Sequence, residues 1–131
     1  LGKMMLTVAD LMHKGDEMPL VKPGLNMADA LVEMSSKGFG CLGVVDDAGK
    51  FCGIFTDGDL RRAMAPNLLT KTVGDVMTRT PTTTTAQTLA IDALRIMNTT
   101  GKGITSLFVL DDDNRPIGLL HMHDCLRAGV A

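Results

Sequence analysis

Two short stretches of the chain share one order of apolar and polar positions. Residues 53–59 read GIFTDGD, and residues 118–124 read GLLHMHD. Each begins with a glycine and two apolar residues, continues with a polar side chain, and closes on an aspartate that can open a helix. Each stretch therefore predicts a buried strand that leads through a tight turn into a helix.

The pattern around these stretches also occurs twice. Residues 8–12, with the sequence VADLM, correspond to residues 73–77, with the sequence VGDVM. Self-similarity of this kind predicts two repeats of about 60 residues, each with the order strand, helix, strand, hairpin, strand, helix. The first repeat, the linker and the second repeat are placed at 7–66, 67–71 and 72–131.

Local signals place the elements within each repeat. Asn26 can cap a helix at 27–36, whose apolar residues follow the spacing of a core-facing stripe. Pro66 is expected to end a second helix at 60–65. Apolar runs predict buried strands, and short polar turns join them into hairpins. The strands are predicted at 41–45, 51–56, 82–85, 104–110 and 116–120, with a brief extended piece at 18–21 that corresponds to the strand at 82–85.

This order of elements predicts an α+β fold with two small three-stranded sheets, each covered by helices on one face. A repeat of this size is marginally stable alone. We therefore expect the two repeats to pack around a pseudo-twofold axis, with two related clefts between them.

Composition excludes several classes of protein. The chain has 131 residues, 45% hydrophobic and 21% charged, which is typical of a globular domain. Its net charge of −2 and its four aromatic residues do not provide the basic, aromatic surface that is typical of nucleic-acid-binding proteins. No apolar run reaches the roughly 18 residues of a membrane span. We expect a cytoplasmic protein without nucleic-acid or membrane partners, in which five of the ten methionines fill the core: Met27, Met34, Met64, Met77 and Met97.

The paired stretches resemble the CBS domain, which occurs in tandem pairs called Bateman modules. Residues 10–13, 55–62 and 121–129 further resemble the C-terminal regulatory part of the arabinose 5-phosphate isomerase family. That resemblance implies that a catalytic sugar-isomerase (SIS) domain precedes the pair and that this chain is itself non-catalytic. Residues 1–6 are then expected to be a linker from the missing SIS domain.

The resemblance also assigns roles in the first repeat. It implies that Thr56 contacts a phosphate and Asp59 a ribose. From the residues alone, Asp59 could accept hydrogen bonds from ribose hydroxyls, and Thr56 with nearby N–H groups could face an anion. An ordinary helix cap is the alternative for Asp59. Asp57 is read as a turn residue, and nothing in the sequence completes a catalytic set around the two aspartates.

The second repeat departs from the pattern, because His121 stands where Thr or Ser is expected, while Asp124 keeps its place. This change favours a different ligand. His121 and His123 on an extended segment would point to the same side, with Asp124 nearby, so metal sensing is an alternative. His13 is expected to be a solvated loop residue.

The sequence therefore predicts a regulatory, ligand-sensing module that requires no cofactor. The ligand is expected to be CMP-Kdo, as feedback end product of the pathway to lipopolysaccharide, or a nucleotide such as AMP or ATP. An oligomerisation element without ligand is the structural alternative. The resemblance implies a homodimer formed through the CBS pairs, and a tetramer for the full-length enzyme. The candidate ligand-binding residues are Pro19, Thr56, Asp57, Asp59, Arg62, His121, Met122, His123 and Asp124.

Overall fold

The computed structural model describes residues 5–99 and 104–130. It contains six α-helices, two short 3-10 helices (Gly15–Glu17 and Leu68–Thr70) and six strands within those ranges. The helices are α1 (Val8–Leu11), α2 (Met27–Lys37), α3 (Asp57–Ala63), α4 (Val73–Val76), α5 (Ala90–Thr99) and α6 (Met122–Arg127). The strands are β1 (Leu20–Val21), β2 (Cys41–Val45), β3 (Phe51–Thr56), β4 (Thr83–Thr84), β5 (Ser106–Leu110) and β6 (Pro116–His121). In the part of the chain so described, no helix combines the length and apolar character that a bilayer crossing needs.

The strands form two three-stranded sheets with the same topology, in the orders β1-β2-β3 and β4-β5-β6. In each sheet the short first strand runs parallel to the central strand, and the central and last strands form an antiparallel hairpin. The registers agree as well, since Cys41 lies opposite Thr56 and Ser106 lies opposite His121. The predicted α+β fold with two three-stranded sheets is confirmed.

The chain forms two compact units, and each combines segments from both sequence repeats. The β1–β3 unit comprises residues 16–81, and the β4–β6 unit comprises the chain up to Gly15 and from Thr82 onward. Helix α1 belongs to the second of these because the Val8 N–H donates to the Thr88 carbonyl at 2.8 Å. Of the linker predicted at 1–6, residues 1–4 lie outside the described residues.

Capping explains where α2 begins and ends. The Asn26 side chain accepts a hydrogen bond from the Asp29 N–H at 2.9 Å, which satisfies one of the unpaired donors of the first turn. Gly38 closes the helix at φ 79°, a left-handed conformation that glycine adopts without strain. The prediction at 27–36 is therefore confirmed to within one residue.

Other predicted boundaries are wrong by a few residues. Helix α3 begins at Asp57 rather than 60 and ends at Ala63, because Thr56 and Asp59 form a capping box that starts the helix directly after β3. For the same reason α6 begins at Met122, immediately after His121. Strands β4 and β5 are shorter than predicted. Asp57 is consequently the first residue of a helix and not a turn residue.

Each unit has its own hydrophobic core between its sheet and its helices. Met27 and Met34 of α2 pack with Phe55 in the β1–β3 unit, and Met97 of α5 packs with Leu107 in the β4–β6 unit. These three methionines are almost fully buried. For them, the prediction that methionine fills the core is confirmed. It is wrong for Met64, which is 67% exposed because it lies just after the end of α3.

Thr84 provides a test of the packing in the β4–β6 unit. Its side chain is 6% exposed, and its hydroxyl has no hydrogen-bond partner within residues 5–99 and 104–130. The equivalent position of the other sheet is Val21, which is likewise paired with the central strand. Thr84→Val is expected to raise the free energy of unfolding by about 1 kcal/mol, because it removes an unpaired buried hydroxyl at nearly constant volume. Urea denaturation measures this change.

The reverse substitution in the other unit is the matched control. Val21→Thr should lower the free energy of unfolding by a similar amount, since it buries a hydroxyl where an apolar group packs. If both variants changed the free energy of unfolding in the same direction, the assignment of the Thr84 hydroxyl as an unpaired group would be contradicted.

Candidate functional site

Asp59 is the centre of a hydrogen-bond network in the β1–β3 unit. Its side chain is 6% exposed and uses both oxygens. Oδ2 accepts from the Thr56 N–H at 3.0 Å and from the Thr56 hydroxyl at 3.2 Å. Oδ1 accepts from Arg62 at 2.7 Å and from the Thr78 hydroxyl at 2.9 Å. The carboxylate is thus buried and bonded to four donors.

Thr56 and Asp59, which the resemblance assigns to ligand contact, form the cap of α3 in this structure. The Thr56 hydroxyl accepts from the Asp59 N–H at 3.2 Å, which completes the reciprocal pair. A ribose hydroxyl that bonded to Oδ1 of Asp59 would replace Thr78 or Arg62. Arg62 is the easier of the two to displace, because 72% of its side chain is exposed.

Asp124 occupies the corresponding place in the β4–β6 unit. Its Oδ2 lies 2.8 Å from His13 Nε2 and accepts from the His121 N–H at 3.2 Å. Its Oδ1 accepts from Arg127 at 2.7 Å. The expectation that His13 is a solvated loop residue is wrong, because a single antiparallel bridge to Leu119 of β6 holds His13 beside the carboxylate.

The two networks are built on the same plan with different donors. Thr78 follows α4 as His13 follows α1, and each contacts the aspartate of its own unit through its side chain. Thr56 and His121 are the N-caps of α3 and α6. Two threonine hydroxyls in the β1–β3 unit are therefore replaced by two imidazoles in the β4–β6 unit.

His121 and His123 lie close together, but they do not share an extended segment as predicted, because α6 starts at Met122. Their ring centroids are 4.7 Å apart with an edge-to-face arrangement. The His123 N–H donates to His121 Nδ1 at 3.1 Å, so the imidazole acts as the capping acceptor. Over residues 5–99 and 104–130, no group of three or more His, Cys, Asp or Glu residues is arranged to hold a metal ion.

The electrostatics of the β4–β6 unit keep Asp124 ionised. Burial by itself raises the pKa of Asp124, but the hydrogen bond from Arg127 and the charge and hydrogen bond of His13 outweigh it, so the pKa lies below its ordinary value. The pKa of His121 is lowered, first by burial and then by repulsion from His123, His13 and Arg127. Neutral His121 with its proton on Nε2 fits the cap, since Nδ1 accepts the His123 N–H.

These contacts predict a loss of stability in mild acid. The pKa of His121 is 6.5 in the unfolded chain and lower in the folded one, so the unfolded state binds more protons between the two values. The free energy of unfolding should therefore fall as the pH drops from 6.5 through the folded-state pKa. A protonated Nδ1 also cannot accept the capping bond. Urea denaturation as a function of pH measures the effect.

His121→Thr is the control for this pH dependence, because it installs the cap that Thr56 forms in the other unit. The variant should show a shallower loss of stability below pH 6.5. Parallel curves for the two proteins would assign the acid loss to other groups.

The remaining predicted residues lie apart from these networks or serve the core. Pro19 is buried before β1, and its carbonyl accepts from the Gly43 N–H at 2.8 Å. Met122 packs against the core of the β4–β6 unit. Asp57 is exposed and lines a shallow concavity of about 340 Å³ in the β1–β3 unit. The other residues that line it are Leu31, Met34, Ser35, Gly38, Gly40 and Leu60.

The sequence pattern described as "CBS domain" matches residues 8–66 and 73–131. The chain belongs to the CBS domain family. Each CBS repeat carries one of the two aspartates in its last helix, Asp59 in the first and Asp124 in the second. The other repeat completes each network, because it supplies Thr78 to Asp59 and His13 to Asp124.

Solved CBS pairs resemble this chain over nearly its whole length. CBSX2 from Arabidopsis thaliana, solved in complex with AMP, is 32% identical with a TM-score of 0.83, and the match covers 95% of this chain and 96% of that one. The CBS domain pair of protein MJ0100, in complex with 5′-methylthioadenosine and S-adenosyl-L-methionine, is 25% identical with a TM-score of 0.82, covering 94% of each chain.

Curated relatives are longer proteins. Arabinose 5-phosphate isomerase KdsD of Pseudomonas aeruginosa is 46% identical over 130 residues, which are 98% of this chain and 39% of the relative. KdsD of Escherichia coli K12 is 44% identical over the same shares. The chain thus spans about 39% of the length of these curated relatives.

Proposed function

We propose that this CBS pair is a non-catalytic regulatory module that binds a nucleotide-type ligand. The observation that carries the proposal is the aspartate of each unit, buried Asp59 or half-buried Asp124, held among hydroxyl, imidazole and guanidinium donors beside the end of a strand. Such a carboxylate can exchange an internal donor for a ribose hydroxyl. The binding of AMP by CBSX2 and of adenosine derivatives by the MJ0100 pair supports the same ligand class here.

The two units differ in the side chains around their aspartates, and this difference favours a ligand that carries more than the groups of a simple adenine nucleotide. A nucleotide joined to an acidic sugar has two anionic groups, and the β4–β6 unit has imidazoles, which can also carry a positive charge, where the β1–β3 unit has threonine hydroxyls. We therefore propose CMP-Kdo as the ligand and AMP or ATP as the generic alternative.

The module is proposed to regulate a longer chain of the KdsD type, in which a SIS domain catalyses aldose–ketose isomerisation of arabinose 5-phosphate in the cytoplasm. The 46% identity to KdsD over 98% of this chain supports this assignment. We further propose that the parent protein is a tetramer whose CBS pairs form homodimers. Sedimentation velocity of the 131-residue chain tests the pairing, and a monomer at all concentrations would contradict it.

Isothermal titration calorimetry of the 131-residue chain with CMP-Kdo, CMP, AMP and ATP tests the ligand. We expect CMP-Kdo to bind more tightly than CMP, because only CMP-Kdo carries the acidic sugar. Tighter binding of AMP or ATP would assign the module to adenine nucleotides. The absence of binding by all four compounds would overturn the sensing function and favour a purely structural role.

A further inference from the structure

A concavity of about 340 Å³ lies in the β1–β3 unit, where the last turns of α2 approach the first turn of α3. Leu31 and Met34 of α2 and Leu60 of α3 provide its apolar lining. Asp59 and the side chains that donate to it do not line the concavity, so it is separate from the Asp59 network. Its volume lies in the lower part of the range of about 300 to 1,000 Å³ that is typical of small-molecule pockets.

Asp57 brings a carboxylate to this concavity. It is the first residue of α3 and is exposed. Among the described residues, no hydrogen-bond donor and no cationic side chain is paired with this carboxylate. The Ser35 hydroxyl of α2 lines the same concavity. A carboxylate beside apolar side chains is complementary to a cation that carries an apolar chain.

Gly40 allows the Asp57 carboxylate to take this position. A Cβ at Gly40 would lie 3.2 Å from Asp57 Oδ2, which is tighter than an ordinary van der Waals contact. The φ of Gly40 is 71°, a left-handed conformation that also favours glycine. A side chain at this position would therefore push the carboxylate away from the loop before β2.

The β4–β6 unit replaces both of these residues. Thr105 precedes β5 as Gly40 precedes β2, and Met122 opens α6 as Asp57 opens α3. Met122 packs against the hydrophobic core of its unit, so an apolar side chain is buried where the β1–β3 unit exposes a carboxylate. Both helices begin with a capping box, and α6 does so without an acidic first residue. The charge of Asp57 is therefore not required to start α3.

We propose that this concavity is a binding site for a small organic cation, a primary ammonium group on an apolar carbon chain. The Asp57 carboxylate binds the ammonium group, and Leu31, Met34 and Leu60 contact the carbon chain. A primary ammonium group has three hydrogen-bond donors, so the Ser35 hydroxyl can accept a second bond from it. This site is additional to the proposed nucleotide function and uses neither of the two aspartates on which that function depends.

NMR titration of the 131-residue chain with hexylammonium chloride tests the site through the methyl signals of Leu31, Met34 and Leu60. These signals should shift together with a Kd of about 1 mM, as expected for a ligand this small in an open concavity. Hexanol has the carbon chain without the charge and should bind about fivefold more weakly, the difference expected for one exposed charge pair. Methylammonium has the charge without the chain and should cause no saturable shift. The ring signals of the three histidines, which all belong to the β4–β6 unit, should not move.

Asp57→Asn keeps the size of the side chain and removes its charge. It should weaken hexylammonium binding about fivefold and leave hexanol binding unchanged. Asp57→Met installs the residue of the other repeat and should abolish the methyl shifts, because it fills the concavity and removes the carboxylate. Asp47→Asn is the matched control, since Asp47 is an exposed carboxylate in the hairpin turn of the same unit. This control should bind hexylammonium as tightly as the unmodified chain does.

Several outcomes would overturn the proposal. They are the absence of methyl shifts with hexylammonium, equal affinity for hexanol and hexylammonium, and unchanged hexylammonium affinity in Asp57→Asn. Shifts of the same three methyl groups with AMP would assign the concavity to the nucleotide and refute a separate cation site. Hexylammonium binding in a chain that gives no calorimetric heat with any nucleotide would support the cation site and refute the nucleotide function.

Discussion

Asp59→Ala is expected to lower the free energy of unfolding by about 3 kcal/mol, the largest effect we predict for a polar substitution. The change removes the acceptor for Thr56, Thr78 and Arg62 at once and also breaks the capping box of α3. Unfolding in urea, with the slope compared between the proteins, measures the loss.

Asp57→Ala is the matched control, since it removes a carboxylate two positions away in the same first turn. Asp57 is exposed, and exposed positions usually change stability by less than about 0.5 kcal/mol. Equal destabilisation by the two variants would show that the charge of the turn, and not the buried network, provides the stability.

The repeat, the hairpins and α2 could be predicted from the sequence because their signals are local. The apolar runs of β2 and β5 and the cap at Asn26 each lie within a few residues of the structure they specify. The start of α3 was also encoded locally. Thr56 and Asp59, three apart, are the signature of a capping box, and that spacing places the first helical residue at Asp57.

The contact between His13 and Asp124 could not be predicted from spacing, because 111 positions separate the two residues. The contact forms because α1 packs in the β4–β6 unit, although the next strands in the sequence, β1 to β3, belong to the other unit. The repeat offered an indirect signal, since His13 aligns with Thr78. This alignment becomes informative only once the structure shows that Thr78 contacts Asp59, because His13 is then expected to contact Asp124 in the same way.

The Ser106 hydroxyl, which has no hydrogen-bond partner among the described residues, illustrates a second limit of prediction from sequence. The apolar run at 104–110 predicts a buried strand, but only the register, which sets Ser106 opposite His121, shows which face of the sheet its side chain lies on. A shift of one residue would turn every side chain of β5 to the opposite face. Which side chains share one face of a sheet therefore depends on how the strands pair, and the sequence of a single strand does not specify that pairing.

Gly118→Ala is expected to lower the free energy of unfolding by about 2 kcal/mol, because it overfills a closed contact. A Cβ at Gly118 would overlap Met12 Sδ and lie 3.1 Å from the His13 carbonyl oxygen. The segment that carries His13 must then move away from β6, so the ring signal of His13 should change as its contact with Asp124 is lost.

Met12→Ala provides the rescue that distinguishes steric overlap from a general effect of alanine. It removes the sulfur that meets the new methyl group, so the double variant should be more stable than the sum of the two single changes predicts, by about 1 kcal/mol. Gly24→Ala, where no described residue lies within 4 Å of the added Cβ, is the control and should be nearly neutral. Additive losses of unfolding free energy in the double variant would show that Gly118→Ala destabilises the β6 backbone itself. Close packing of Met12 would then not be the reason for glycine at this position.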